Sequence, residues 1–445
     1  MTAQSALVDF PIRNKRPKIR LMGALCVALA MSLSGCSSAE NSKNGAAADA
    51  KSDAEATIDA VETSPDAAVD AAPVATQQIR VATFNASLFR STDGGLRQAL
   101  SGGEDAQARK VAEVLQRIRP DIILLNEFDW DAEGESAESF VRDYLAVAQN
   151  GARALEFSHR YIPTSNTGIA SGVDLNKKDG AVTTPGSQAY GDDAFGFGQF
   201  PGQYGMLVLS RFPVQAEQAR SFQKFLWRDM PDNLQPIDWY LPAAVDIMRL
   251  SSKNHVDVPI DVDGSLLHLL ISHPTPPSFD GPENRNGRRN HDEIRLWVDY
   301  ISGGEQAAYL VDDKGVAGGL GAGSFVLLGD LNSDPNDGDG HHEVVQALLG
   351  HPRVQDPLPA SEGALQANER DGRANTTHTG DPALDTADFS DHSVGNLRVD
   401  YALPSADLEV IDQGVFWPAS DAEHAALART SDHHLVWVDI AIAKP

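Results

Sequence analysis

"FVLLGDLNSDPNDGDG", residues 325–340, begins as a charge-free β-run and then sets four aspartates within ten positions. Carboxylates this close repel one another unless something positive sits among them. The first of them, Asp330, ends the apolar run, and the arrangement recurs elsewhere. Asn85 follows "VATF", Glu127 follows "IILLN", His273 follows "LLIS", and Asn332 stands two places after Asp330. Asp400 in "RVDY" and the pair Asp432 and His433 in "SDHH" lie instead at or near the beginnings of apolar strands. The two groups share one sheet edge only if some strands run antiparallel to the others, so a single site implies mixed sheets.

Each residue also has a plain structural reading. Asn85 and Asp330 suit turn caps, Asp432 a strand entry, and a lone buried histidine is more often a hydrogen-bonded core residue. Collectively, Asn85, Glu127, Asp330, Asn332 and Asp432 form an oxygen-rich set that suits a hard cation such as Mg²⁺. Asp330, Asn332 and Asp334 imitate the start of a calcium loop, but Pro335 occupies the place where a glycine makes the sharp turn, which excludes an EF-hand. Asp337 and Asp339, set among glycines, read as solvated turn residues.

Around this stretch the chain alternates strand and helix signals without a second linker or a repeat, so residues 78–445 read as one α/β domain. "IRVATFN", "DIILLNEF", "YGMLVLSRFPV", "SLLHLLISHP", "SFVLLGD", "NLRVDYALP" and "DHHLVWVDIAI" read as strands. "AQARKVAEVLQRIRP" is a helix with Val111, Leu115 and Ile118 on one face and Pro120 as its stop. A second helix around "HDEIRLWVDYI" puts Ile294, Trp297, Val298 and Ile301 on one side. Residues 159–203, rich in Gly, Asn and Thr, form a long loop of the kind that lines a substrate site.

The first 35 residues read as an address. Arg13, Lys15, Arg16, Lys18 and Arg20 precede an apolar run from Leu21 to Gly35 that is too short to span a bilayer. "LSGC" resembles a bacterial lipobox, with cleavage before Cys36 and lipidation of its sulfur, giving a lipoprotein signal peptide over 1–35. Residues 36–77, small and acidic, read as a disordered tether. Only Cys26 and Cys36 occur, so once the first is removed and the second lipidated no disulfide forms. The expectation is export to the outer membrane or cell surface, held by an N-terminal lipid. Lys and Arg number 36 against 63 Asp and Glu, a net charge of −27, which disfavours tight nonspecific grip on polyanions.

In their order, "TFN", "LLNE", "YGMLVLSRFPV", "GDLNSDP", "RVDY" and "SDHH" make the chain similar to the endonuclease/exonuclease/phosphatase superfamily, over nearly all of residues 78–442. What the resemblance implies is a four-layer α/β sandwich, two mixed β-sheets face to face with helices outside, and hydrolysis of phosphoesters with Mg²⁺, or with Mn²⁺ or Ca²⁺. Glu127 resembles the principal metal-binding glutamate, Asn85 the asparagine that helps place metal or phosphate, and Asp432 a metal- or water-orienting aspartate. Asp330 and Asn332 match the pair near phosphate and nucleophile, and His433 the terminal catalytic histidine, with Asp400 fixing its tautomer. His273 resembles the second histidine that binds phosphate or protonates the leaving oxygen.

The chain departs from the commoner pattern after His273, where "HPTPPSFDGPENRNGRRNHDEIR" inserts a proline-rich and then basic segment. Arg285, Arg288 and Arg289 are candidates to clamp a substrate phosphate, against the alternative of a helix-leading loop paired with nearby acids. His291 and His378 read as surface residues. The expected partner is a phosphoester, whether small molecule, phospholipid headgroup or nucleic acid, and no obligate protein partner is evident. The competing readings are a nuclease acting on extracellular DNA or RNA and a noncatalytic surface lipoprotein that keeps the scaffold. The second predicts loss of a metal or base residue, and no expected position is lost.

Overall fold

The computed structural model describes residues 76–178 and 180–444. The expected signal peptide, Cys36 and nearly all of the tether lie outside the described residues. Thirteen strands follow in order: Thr76–Asn85 (β1), Ile122–Asn126 (β2), His159–Tyr161 (β3), Met206–Ser210 (β4), Arg220–Ser221 (β5), His255–Val262 (β6), Ser265–Ser272 (β7), Phe325–Asp330 (β8), Ala387–Asp388 (β9), Asn396–Leu397 (β10), Asp400–Pro404 (β11), Glu409–Val415 (β12) and Val436–Ala443 (β13). They make a six-stranded sheet in the order β12-β13-β1-β2-β4-β3, a five-stranded sheet β11-β8-β7-β6-β5, and the small ribbon β10-β9.

Both large sheets are mixed. β1 runs parallel to β2 and antiparallel to β13, while β8 runs parallel to β7 and antiparallel to β11. The helices Ala106–Ile118 and Arg285–Ser302 carry the two parallel crossovers. Alternation along the strands explains the layering. Ile79, Val81, Ile122, Leu124, Val436 and Val438 of one sheet pack on Val256, Val258, Leu267, Leu269, Val326 and Leu328 of the other. The intervening residues face outward: Ala82, Phe84, Ile123 and Leu125 pack on Val111, Val114 and Leu115. Leu270, Leu327 and Leu403 pack on Ile294, Trp297 and Ile301. Because both faces of each sheet are covered, the central strands read as unbroken apolar runs. Four layers result, as the resemblance implies.

Two local expectations are corrected, and one strand was missed. β1 starts at Thr76, two residues inside the expected tether, because Thr76 and Gln77 pair with Ala443 and Ile442. "NLRVDYALP" is not one strand: the Arg398 N–H donates to Asp334 Oδ2 at 2.7 Å, turning the chain out of β10 before it enters β11. β6 joins β7 through the two-residue turn Asp263-Gly264, both with positive φ, and that Asp-Gly pair between apolar runs was its legible signal. Among the described residues, no helix is long and apolar enough to cross a membrane.

At the start of β6, His255 is buried, with Nδ1 2.6 Å from Ser251 Oγ and Nε2 2.9 Å from the Glu293 carbonyl oxygen. Burial pushes its imidazole down to about 4, whereas an unfolded histidine titrates near 6.5. The folded ring therefore stays neutral where the unfolded ring takes up a proton, so this contribution is complete above about pH 6.5 and falls away as the pH drops toward 4. Urea titrations should show a loss of about 3 kcal/mol across that window. In His255→Gln the pH slope should flatten, and parallel curves for the two proteins would contradict the assignment.

Candidate active site

The strand ends meet at one rim of the sandwich. β8 delivers Asp330 and β11 begins with Asp400 directly opposite, paired in register across the two strands. β1 ends in Asn85, and the turn before β13 presents His433 from the other sheet. Asn85 Nδ2 donates to Asp330 Oδ2 at 3.0 Å, His273 Nε2 lies 3.3 Å from the same oxygen, and His433 Nε2 lies 3.6 Å from it. On its other side His433 Nδ1 donates to Asp400 Oδ2 at 2.8 Å, and the Thr386 hydroxyl donates to that oxygen at 2.9 Å. Phe389 meets the His433 ring edge-on at 5.2 Å. Asp330, Asp400, Asn85, His273 and His433 are all buried.

Charge is unevenly shared in this row. Burial pulls the His433 imidazole down, but Asp400, Asp330 and Asp432 outweigh it and hold the ring well above its ordinary range. Burial pushes Asp330 up, yet His433 and His273 beside it, with the hydrogen bond from Asn85, keep its carboxyl below the usual carboxylate range. Asp400 is pushed by burial to about 6, with His433 pulling the other way. The proton at neutral pH thus rests on the imidazole, between two carboxylates. His273 is held down by burial and by the cation Lys253, so its ring is neutral and donates from Nε2 toward Asp330.

A cavity of about 890 Å³ opens onto this row. Glu127 lines it and is half-buried; among the described residues its carboxylate accepts no hydrogen bond and pairs with no cation. Its backbone is left-handed, φ 57°, as is that of Asn332, φ 51°. Non-glycine residues pay about 1–3 kcal/mol for such conformations, and they persist where the surroundings over-determine them. Asn332 is fixed by its N–H to Asp330 Oδ1 at 2.9 Å and by Nδ2 to the Pro274 carbonyl at 3.1 Å. Asp432 stands exposed at the cavity rim. The loop of residues 159–203 supplies part of the wall through Leu175, Gln188, Asp192 and Phe197.

The donor set fits a hard divalent cation. Glu127 offers free anionic oxygens, Asp330 and Asp432 add oxygens on the same cavity, and Asn85 stands behind them, bonded to Asp330. Asp330, Asp400 and His433 also bring one ligand atom each within 4.8 Å of one another. That trio is bound up internally, since His433 Nδ1 is engaged by Asp400, which leaves Glu127 as the open ligand.

The arginine expectations need correction. Arg289 is buried and lines the main cavity, and its guanidinium donates to the carbonyls of Leu250, Phe195 and Arg249, tying loops together there. Arg288 faces a separate depression beside Trp239 and Glu283, because it lies on another side of its helix. Arg285, at the start of that helix, lines the main cavity instead. Sequence reasoning missed Lys253 and Thr386; neither stands in a periodic or strand-ending position that marks it. The later loop aspartate, Asp334, accepts from the N–H groups of Asn336, Asp337 and Arg398 and so stitches the loop closed.

A family model, the Endonuclease/Exonuclease/phosphatase family, matches residues 82–433. The chain belongs to this family. Its members are hydrolases acting on phosphoesters, and the matched span runs from three residues before Asn85 to His433 itself. Among solved structures, the chain is similar to an endonuclease/exonuclease/phosphatase from Beutenbergia cavernae, at 18% identity over 82% of this chain and 72% of that one, TM-score 0.45. It is also similar to sphingomyelinase C from Streptomyces griseocarneus, at 14% identity over 82% of this chain and 99% of that one, TM-score 0.43. A third is the 3' phosphatase NExo from Neisseria bound to a product DNA hairpin, at 14% identity over 81% and 99%, TM-score 0.39. No curated protein matches the chain.

At Gly329, one residue before Asp330, β8 runs tight against the end of β7: a Cβ there would lie 2.2 Å from the Ser272 carbonyl oxygen. Gly329→Ala should therefore cost about 1–3 kcal/mol and shift Asp330 away from His273. The check is a lowered Tm together with lost phosphoesterase activity; an unchanged Tm would show that the strand ends have room.

Proposed function

We propose that the protein is a divalent-metal-dependent phosphodiesterase, exported and anchored by a lipid on Cys36. What carries the reading is that Glu127, with its unpaired carboxylate, His273, Asp330 and His433 line one cavity, with Asp400 and Asn85 bonded to them from behind. Hydrolysis of a phosphoester needs charge neutralised on the nonbridging oxygens, a water held in line with the leaving group, and a route for protons.

Glu127, with Asn85 and Asp432 near it, would hold Mg²⁺ or a similar cation, which when bound supplies the charge neutralisation. This chain's own residues do the rest. Asp330 and His433 face one another across 3.6 Å, where the ionised Asp330 carboxylate takes the proton of the attacking water and the His433 imidazolium orients it. Asp400 fixes the orientation of the His433 ring, so that Nε2 faces the cavity, and stabilises its cationic form. His273 keeps Asp330 ionised and in place. Asn332, locked by Pro274, sits beside the position the phosphoryl group takes. A cavity of about 890 Å³ in a chain of net charge −27 suits a compact phosphodiester better than a long polyanion held along a basic groove.

Hydrolysis of bis-p-nitrophenyl phosphate tests this. The wild type should turn over with Mg²⁺ and stop on chelation, and Glu127→Ala and His433→Ala should each lower kcat by a factor of about 10²–10⁴ with unchanged circular dichroism. Full turnover in either variant, or turnover indifferent to chelator, would reject the mechanism. Export is tested separately: Cys36→Ser should move the protein from the membrane to the soluble fraction, and unaltered fractionation would count against the anchor.

A further inference from the structure

Lys253 is a buried cation in the cavity that neither the motifs nor the mechanism above employs. It lies in the segment leading into β6 and is 8% exposed. Its backbone is pinned from several directions. Glu293, fully buried on the helix Arg285–Ser302, accepts the Ser252 N–H through Oε1 and the Thr275 N–H through Oε2, both at 2.6 Å. The Lys253 carbonyl accepts from the Asn166 N–H at 2.8 Å. Gly196 packs so closely that a Cβ on it would lie 1.7 Å from the Ser252 carbonyl oxygen, so the loop of residues 159–203 seats directly on the residue before the lysine.

The side chain enters the same cavity as Glu127, His273, Asp330 and Asn332. Burial pulls its ammonium below the ordinary lysine range, the Glu293, Glu127 and Asp330 carboxylates nearby pull it back up, and among the described residues it stands in no direct ion pair or hydrogen bond. A buried ammonium that no carboxylate touches directly costs stability. Were Lys253 only filler for the space under the loop, a methionine of equal length would do so without that cost. The arrangement is that of a cation held ready for an anion that arrives from solution, at the point where the phosphoester reading places the phosphoryl group.

The geometry points to Lys253 as a further catalytic residue, whose ammonium contacts a nonbridging oxygen of the phosphoryl group and stabilises the charge that builds there during hydrolysis. The inference rests on the phosphoester reading above, but it commits to an oxyanion site that is measurable without turnover. Lys253→Met keeps the length and apolar bulk of the side chain and removes the charge.

The test pairs kinetics on bis-p-nitrophenyl phosphate with calorimetric binding of inorganic phosphate, both with Mg²⁺. Lys253→Met should lose about 100-fold in kcat, bind phosphate about tenfold more weakly, and melt within a few degrees of the wild type. In Lys253→Ala, added propylamine should restore part of the lost kcat, which a merely structural lysine would not allow. Lys253→Met within twofold of wild type in both kcat and phosphate affinity overturns the proposal. Should Lys253→Met fail to fold, amine-dependent recovery in Lys253→Ala supports the assignment and its absence overturns it. If the wild type cleaves no ester, the phosphodiesterase reading falls and the binding arm alone decides: tenfold weaker phosphate binding in Lys253→Met supports the oxyanion site, and equal or absent binding in both proteins overturns it.

Discussion

One carboxylate joins the two halves of this molecule. Asp330 belongs to the five-stranded sheet, yet two of the groups that bond to it or face it, Asn85 and His433, come from the six-stranded one. The core between the sheets is built mainly of Val, Ile and Leu, whose packing alone leaves one sheet some freedom to slide over the other. Directional bonds at the rim supply the register. Breaking one partner would leave a buried charge unpaired, which costs far more than the bond itself contributes. The same row that is suited to chemistry therefore also holds the sheets in alignment.

Around that row the chain accepts strain. Ser87, Glu127, Tyr204, Phe279 and Asn332 all carry positive φ, and all line the cavity. Each would relax to ordinary backbone if the strand ends were simple turns. Their clustering at one cavity shows the fold over-determining the positions of these side chains, at the expense of stability available elsewhere in the sandwich. Thr386 illustrates the support behind them: its hydroxyl receives the N–H groups of Val399 and Asp400 and donates to the Asp400 carboxylate, so the His433 partner is held from behind.

Much of this was legible because strands buried on both faces have no reason to end in Asn, Glu, Asp or His, so those endings stood out against apolar runs. The need for antiparallel neighbours followed from Asp400 and His433 standing at strand beginnings, and the mixed sheets bear it out. Positions set by tertiary contact alone were not legible. Lys253 sits in "SSKNH", a segment with no period, and its place comes from Glu293 some 40 residues later. The arginines show the opposite error. All three were candidates for one phosphate, but the step of about 100° between neighbours on a helix turns Arg288 to a separate depression, while Arg289, on the cavity wall, commits its guanidinium to loop carbonyls.

The pairing of Thr76 with Ala443 has a mechanical consequence. The first and last strands of the described chain leave the sandwich side by side, at the end of β1 remote from Asn85 and, at about 3.3 Å per residue, some 30 Å from it. Tension applied between these ends would load the β1–β13 ladder one rung at a time, as a zip, and not all rungs together as in shear. Peeling would begin at the pole opposite the cavity and reach Asn85 and His433 last, so the catalytic rim would be the final part of that ladder to open under load.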